Sequence, residues 1–479
     1  MALIYLHNTL SGKKEPFAPA KKGFFGFLRR PKVGMYHCGP TVYNYAHIGN
    51  LRAYVFADTL KRLVKAAGYS VKQVINITDV GHLTSDADTG EDKMEKARRR
   101  EHKSAWDIAK FYTEAFFSNL ADLNIDTAGT KFPRATDFIR EQIRMVALLE
   151  KKGFAYRTSD GIYFDTAKFP DYGKLGDIDI AGIREGERIG KNAEKRNPTD
   201  FALWKLSAAQ GGGSAGEKRD MEWDSPWGVG FPGWHIECSA MASALLGIPV
   251  DVHTGGIDHI PVHHNNEIAQ SEAAFGKEFV RYWLHSAFVN IEGGKMAKSE
   301  GNFITLDTLK ERGFSPLAYR YFLLGARYST PLNFTWEALE AAQTAYKRLK
   351  QTIAQGEYFP KGTSMAKEIP LDYSKKLLDL ISDDLNTPAA LALLHDLLED
   401  EELKWSEKKK LLREFDSLLG LDLLSKGKER EIPVEVQKLA DERARARAAK
   451  DWKRSDELRD EIAKLGFEVK DTPEGQKIS

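Results

Sequence analysis

The 479-residue sequence predicts an α/β protein: a Rossmann-type parallel sheet interrupted by an inserted subdomain, then a helical bundle and a small C-terminal domain. Three observations carry this. Met35–Thr78 reads as strand, loop, amphipathic helix, strand, a βαβ unit that requires parallel pairing with a right-handed crossover. Strand patterns return at Val250–His253 and Trp283–Val289, with a helical pattern, His263–Phe275, between them. After Gly301 helical periodicity dominates to about residue 425.

The totals set outer limits. A chain this long exceeds one core, so roughly two to four domains are expected. With 42% hydrophobic and 29% charged residues the composition is that of a globular protein. A net charge of +1 gives no global field for a polyanion, so any nucleic-acid surface is local. No apolar run spans a bilayer and no charged-then-apolar leader opens the chain, so a cytoplasmic protein with no membrane partner is expected. The two cysteines, Cys38 and Cys238, are too few for a disulfide framework. Each is either an inert core residue or a functional one.

In order, a strand is expected at Leu3–Leu6, then a basic stretch in which Lys21, Lys22, Arg29, Arg30 and Lys32 surround Phe24, Phe25 and Phe27. It suits nucleic acid or a surface loop equally. The strand beginning at Met35 breaks at Gly39-Pro40. Leu51–Ala67 has Val55, Phe56, Leu60, Leu63 and Val64 at helical spacing and stops at Gly68. Val71–Thr78 is a buried strand. Lys93–Lys103 is a charge run with Arg98, Arg99 and Arg100, a solvated helix face or an RNA contact. Ser104–Ile125 and Phe138–Gly153 are helical, and Gly153–Asp165 alternates like a hairpin turning at Ser159-Asp160-Gly161. Gly-rich Ser207–Glu222 is a loop. The sheet is expected to resume near Trp234. Beyond Pro433 come a helix to about Lys450, a second to Lys464 with Gly466 as its C-cap, and a strand, Phe467–Lys470. These signals divide the chain into 1–125 and 226–300 as the two sheet halves, 126–225 as the insert, 301–340 as a junction, 341–429 as the helical bundle and 430–479 as the C-terminal domain.

Four stretches carry chemistry. M-Y-H-C-G-P-T-V-Y-N-Y-A-H-I-G-N-L-R, Met35 to Arg52, joins a strand to a helix start, the geometry that sets backbone N–H groups and a helix dipole against phosphate. His263 and Glu267 lie four apart on one helix face, a two-ligand spacing for zinc that only Cys38 and Cys238 can complete with thiolates. Alone, such a pair is more often a solvated one, with His263 partly buried and His264 exposed. What favours the metal is that both thiols fall in Gly-rich turns at expected strand ends. H-T-G-G-I-D, His253 to Asp258, is a tight glycine loop that either lets backbone approach a ligand, with Asp258 accepting from ribose hydroxyls, or is a plain turn. G-G-K-M-A-K-S, Gly293 to Ser299, pairs a hinge with two lysines and a hydroxyl, suited to closing on a polyphosphate, yet without Walker spacing.

Taken together and in order, these pieces resemble the cysteinyl-tRNA synthetases, a family of class I aminoacyl-tRNA synthetases, over nearly the whole chain. C-G-P-T-V-Y with His47-Ile-Gly-Asn50, D-F-A-L-W-K, S-P-W-G-V-G-F-P-G-W-H-I-E-C-S-A-M, H-H-N-N-E-I-A-Q-S-E-A, K-M-A-K-S-E-G-N-F, D-D-L-N-T-P-A-A-L and the charged tail with D-T-P-E-G carry the likeness. The resemblance implies a cysteine–tRNA ligase. It activates L-cysteine with ATP to cysteinyl-adenylate and transfers it to the 3′ end of tRNA(Cys). One zinc per chain, held by Cys38, Cys238, His263 and Glu267, takes the substrate thiolate, which ordinary contacts separate poorly from a serine hydroxyl. It further implies that Gly39, Thr41, Thr78 and Trp204 line the cysteine pocket. His47, Gly49, Asn50, Gly256, Asp258, Lys295, Lys298 and Ser299 would bind ATP with Mg²⁺. Of these, His47, Asn50, Lys295 and Lys298 would be catalytic. Arg447, Asp456 and Asp471 would meet the anticodon, beside Arg443, Arg445 and Trp452. A monomer is expected.

Departures are few. Asn50 stands where the name-giving signature has His, and still donates to phosphate oxygen. Ala297 replaces a Ser, and Asn265 a Glu. Val80–Met94 is longer than the family's common form, and Lys21–Pro31 is an insertion. Two alternatives share parts of the pattern: a mycothiol-type cysteine:amino-sugar ligase, which lacks the tail, and a non-catalytic tRNA-binding paralogue, against which His47, Lys295 and Lys298 argue.

Overall fold

The computed structural model describes residues 3–19, 31–81, 93–176, 178, 194–207, 219–291, 294–295, 303–356, 371–425, 433–465, 467, 469–472 and 475–478. The chain opens with an antiparallel hairpin, β1 (Tyr5–Asn8) with β2 (Lys13–Pro16). The first strand thus lies later than Leu3–Leu6. Its partner, K-K-E-P, is too polar to show a strand pattern. Next come β3 (Lys32–His37), α1 (Ile48–Ala66) and β4 (Ser70–Ile75), with β3 parallel to β4 as the βαβ pattern requires.

Three helices follow: α2 (Lys93–Glu101), α3 (Ala105–Asp122) and α4 (Ile139–Lys151). Ser104 caps α3 by accepting from the Asp107 N–H at 3.1 Å. A four-stranded antiparallel sheet comes next, β5 (Ala155–Arg157), β6 (Gly161–Phe164), β7 (Phe201–Leu206) and β8 (Gly230–Pro232), paired in that order. Its core joins Phe164, Phe201 and Trp204 to Val146 and Leu149 of α4.

At Trp234 the structure departs from expectation. The segment is a helix, α5 (Trp234–Leu246), and the parallel sheet resumes only with β9 (Val250–Gly256), α6 (Asn265–Phe275) and β10 (Val280–Ser286). The parallel sheet has the order β10–β9–β3–β4. Both its central strands are buried along most of their length, as expected when helices cover the two faces.

Beyond it, β11 (Val289–Ile291) pairs with β12 (Gly294–Lys295) and, in parallel, with β13 (Leu332–Phe334). Around β13 lie α7 (Leu306–Glu311), α8 (Pro316–Leu324) and α9 (Trp336–Gly356). Then come α10 (Leu371–Ser382), α11 (Thr387–Glu399) and α12 (Trp405–Leu419). The fully buried Arg320 of α8 bonds Asp58 of α1 at 2.5 Å, Leu123 O at 2.8 Å and Leu419 O at 2.7 Å. It thereby ties these helices to the sheet layer.

The chain forms two compact units, Met1–Asp422 and Leu423–Ser479. The second holds α13 (Val434–Ala448), α14 (Trp452–Lys464) and a hairpin, β14 (Val469–Thr472) with β15 (Gly475–Ile478). The hairpin extends past the single strand expected at Phe467–Lys470. No helix among the described residues is long and apolar enough to cross a membrane.

Candidate active site and metal centre

Strand β3 ends at His37, and the next five residues are fixed from both sides. Cys38 N–H donates to Thr254 O at 3.0 Å, binding it to the neighbouring β9. Gly39 N–H donates to Asn76 Oδ1 at 2.8 Å, and a Cβ on Gly39 would stand 1.5 Å from Asn76 O. Only glycine fits there. Thr41 and Thr78 form a parallel bridge, with Thr78 N–H on Pro40 O at 3.0 Å. The stretch opening with Cys38 therefore crosses the carboxyl end of β4, where open parallel sheets bind ligands.

It then enters α1. The helix begins at Ile48, three residues before the pattern suggested, because His47 is its N-cap. His47 Nδ1 accepts the Asn50 N–H at 3.1 Å, and Asn50 Oδ1 accepts the His47 N–H at 3.3 Å, a reciprocal capping box. The histidine-to-asparagine departure at position 50 thus retains a cap. Ile48 N–H donates to Ile304 O at 2.9 Å, and the His47 ring meets Phe303 at 5.7 Å. Lys295 lies on β12 opposite Asn290. Lys298, Ser299 and Ala297 are outside the described residues, as are His82, Gly466 and most of 21–31, 80–94 and 207–222.

Cys238 was expected in a turn at a strand end; it sits instead in the second turn of α5, buried. The helix starts so abruptly because Gly233 presses on the antiparallel sheet, where a Cβ would be 2.0 Å from Ala202 O. His263 lies in a short π-helical turn, Ile260–His264, ahead of α6, and Glu267 lies in that helix's first turn. π-turns often mark functional sites. One donor atom from each of Cys38, Cys238, His263 and Glu267 lies within 4.8 Å of every other. The sequence-predicted quartet, drawn from the end of β3, α5, the π-turn and α6, converges. A second quartet, Cys38, His253, His264 and Glu267, meets the same limit and shares two members.

The surrounding groups orient these donors. His263 Nδ1 meets His235 Nδ1 at 2.9 Å, while its Nε2 lies 3.1 Å from Glu267 Oε1. Glu267 Oε2 is bonded by His253 Nε2 at 3.1 Å. Cys38 Sγ lies 3.3 Å from His264 Nε2, whose Nδ1 joins His285 at 2.7 Å. His285 continues to Thr9 Oγ1 at 2.7 Å. Ligands held by a second layer of hydrogen bonds are characteristic of metal sites. His264, expected at the surface, is fully buried.

Charge separates within the cluster. Burial and the Cys238 sulfur push the Cys38 thiol up. The hydrogen bond from Cys38 draws Cys238 down to about 6, against burial. Burial works against ionisation of His263, but Glu267 and Cys238 raise it to about 10. Burial likewise opposes ionisation of Glu267, yet His253 and His263 hold it at about 2. The side chains alone thus pair the Cys238 thiolate and the Glu267 carboxylate with the His263 imidazolium, and a bound metal would replace that proton as the compensating charge. Two soft sulfurs, one imidazole and one carboxylate fit zinc.

Sequence reasoning overlooked this histidine shell and one indole. Six of the chain's 12 histidines fall between His235 and His285, a density visible in the sequence. Trp204 is fully buried within the antiparallel layer, against Trp227 at 6.2 Å. The indole beside the donors is Trp234, its ring 4.2 Å from His263. Near Asp258, a Cβ on Gly255 would stand 2.6 Å from His264 and 2.7 Å from His259, so that glycine makes room for imidazoles. A Cβ on Gly256 would stand 2.3 Å from Asp258 Oδ1.

In the C-terminal unit, Arg443 is not an exposed basic residue. It is buried and bonds both Asp471 oxygens, at 2.9 and 3.0 Å. Arg447 lies 3.2 Å from the same carboxylate and 5.4 Å over the ring of exposed Trp452, while Asp456 meets Arg459 at 3.4 Å.

Residues 24–344 match the model of the tRNA synthetases class I (C) catalytic domain, and residues 429–478 that of the cysteinyl-tRNA ligase anticodon binding domain. Cysteine–tRNA ligase 1 of Burkholderia lata is 48% identical, with 99% of this chain and 96% of the relative covered. The chain belongs to the cysteine–tRNA ligase family. The cysteine–tRNA ligase of Treponema denticola is 42% identical with 98% of both chains covered. The family's fold also appears at low identity. The Mycobacterium tuberculosis methionyl-tRNA synthetase complexed with methionyl-adenylate superposes with a TM-score of 0.56 at 15% identity, covering 82% of this chain and 89% of that one. The Agrobacterium radiobacter K84 agnB2 LeuRS–tRNA–LeuAMS ternary complex gives 0.59 at 12%, covering 85% and 84%.

Proposed function

We propose that the chain is a cysteine–tRNA ligase. It activates L-cysteine with ATP to cysteinyl-adenylate, releases pyrophosphate, and passes the cysteinyl group to the 3′ end of tRNA(Cys). The observation that carries this reading is the convergence of Cys38, Cys238, His263 and Glu267 at the end of the strand whose next helix opens with His47. Family membership over both matched regions supports it.

In this reading the four residues hold one zinc, and His235 and His253 orient His263 and Glu267. Bound there, zinc supplies a soft Lewis acid that favours thiolate over hydroxyl. This quartet is preferred to the one with His253 and His264 because it includes both thiols, the softer donors. Gly39, Thr41 and Thr78 form the floor for the amino acid. Trp204 belongs to the same pocket from the antiparallel layer, and Trp234, packed on His263, joins it beside the donors.

The protein performs little covalent chemistry; it positions groups and offsets charge. His47, Gly49 and Asn50 present a helix N-terminus to the ATP phosphates, with Mg²⁺ accompanying ATP. Gly256 and Asp258 face the ribose. Lys295 and Lys298 offset charge on the departing pyrophosphate, and Ser299 contributes to ATP binding. Arg447 and Asp456 meet the anticodon, and Asp471 is held in place for that contact by Arg443. The donor set is complete within one chain and uses both cysteines as thiols, which suits a monomer in the cytoplasm.

The test is charging of tRNA(Cys) transcript with labelled cysteine. Cysteinyl-tRNA should accumulate with ATP present. Adenylate formation without transfer would assign the chain to small-molecule ligation, and failure of both steps would reject the reading.

A further inference from the structure

Helix α3 has two unlike faces. Ile108, Tyr112, Phe116 and Leu120 are buried at helical spacing and account for its packing. Phe111 stands off that stripe, 41% exposed. Its ring meets that of Tyr45, itself 37% exposed, edge-on at 6.0 Å. Tyr45 is braced by Tyr112 at 5.0 Å and lies two residues before His47. Lys103 Nζ stands 5.0 Å over the Phe111 ring, and Arg100 donates to the Tyr43 carbonyl at 3.3 Å. Glu101 lies close to both cations and neutralises part of their charge. Even so, Lys93–Glu114 holds seven Lys and Arg against four Asp and Glu, in a chain of net charge +1. Single exposed aromatics are ordinary. An exposed pair with Lys103 over one ring and Arg100 close by on the Tyr43 carbonyl, next to the helix terminus of the candidate ATP site, is a different feature.

We propose that Tyr45 and Phe111, flanked by Lys103 and Arg100, form a stacking platform for the unpaired 3′ end of the RNA substrate. The inference rests on the proposed charging function and adds the surface by which the acceptor end approaches. Stacking is indifferent to base identity and suits a single-stranded end. The cations supply phosphate attraction that weakens with salt. A duplex offers no exposed ring faces, so the platform selects the unpaired end.

The experiment measures tRNA charging and cysteine-dependent ATP–pyrophosphate exchange in parallel on the full chain. Phe111→Ala should raise the KM for tRNA about tenfold and leave exchange unchanged. Phe111→Trp should restore the KM. Phe117→Ala, an exposed aromatic of the same helix packed on Phe132, should behave as wild type. Lys103→Glu should raise the KM more at low salt than at high. An unchanged KM in Phe111→Ala, an equal loss in Phe117→Ala, or a matching loss of exchange would overturn the platform. Absence of exchange in the wild type would overturn the functional reading instead.

Discussion

His263 shows how much one side chain's surroundings decide. Its Nδ1 meets His235 and its Nε2 meets Glu267, so the ring is oriented by the chain's own groups. Cys238 is the donor whose loss should be most informative. Purified wild type should carry about one zinc per chain by elemental analysis. Cys238→Ser should lower that content and the preference for cysteine together; full zinc retention would remove Cys238 from the donor set. Asp79 offers a pH test. Burial raises its carboxyl to about 6, although Thr136 donates to it through N–H at 3.0 Å and Oγ1 at 2.7 Å. A carboxyl raised on folding contributes stability that is fully present below the unfolded value of 3.8 and is lost as pH rises through about 6. Relative to Asp79→Asn, wild type should therefore lose stability between pH 4 and pH 7 in denaturant titrations. At this scale the quartet was legible because its residue types and the i,i+4 spacing are chemical signals. The histidine shell was legible only as a density, since its bonds join residues from five elements. The burial of Trp204 in the antiparallel layer was not legible, because a tryptophan in a motif does not reveal which face its strand presents.

At the scale of elements, α1 links the candidate ATP site to the rest of the first unit. Arg52, one turn in, donates to the carbonyls of Ala287 and Phe288 at 3.0 and 2.8 Å, and to those of Arg327 and Thr330 at 2.9 and 2.6 Å. Asp58, further along, takes Arg320 from α8 and Arg62 at 2.8 Å. Breaking a buried pair leaves an uncompensated charge. Arg320→Met should cost about 3 kcal/mol or more in unfolding free energy, and a loss near zero would show that Arg62 alone suffices. The strands β3, β4, β9 and β10 were legible as apolar runs ending in glycine or polar turns. Helix α5 was not: W-H-I-E-C-S-A-M-A-S-A-L-L is buried on nearly all sides where it carries Cys238, so it lacks the amphipathic period that marks a surface helix. The hairpin β1–β2 escaped for the opposite reason, because its second strand is almost wholly polar and exposed.

For the whole molecule, the order of motifs carried more than any one of them. Cys38 and Glu267 stand more than two hundred positions apart, and only the parallel sheet, with β3 beside β9, brings them together. The sequence pattern announced that sheet through its βαβ unit. Long-range register, such as Cys38 on Thr254, was beyond it because pairing partners leave no local mark. If this convergence selects cysteine, ATP–pyrophosphate exchange on the full chain should distinguish cysteine from serine. We expect cysteine to support exchange with kcat/KM at least about a thousandfold above serine. Similar values for the two amino acids, or no exchange with cysteine, would contradict it.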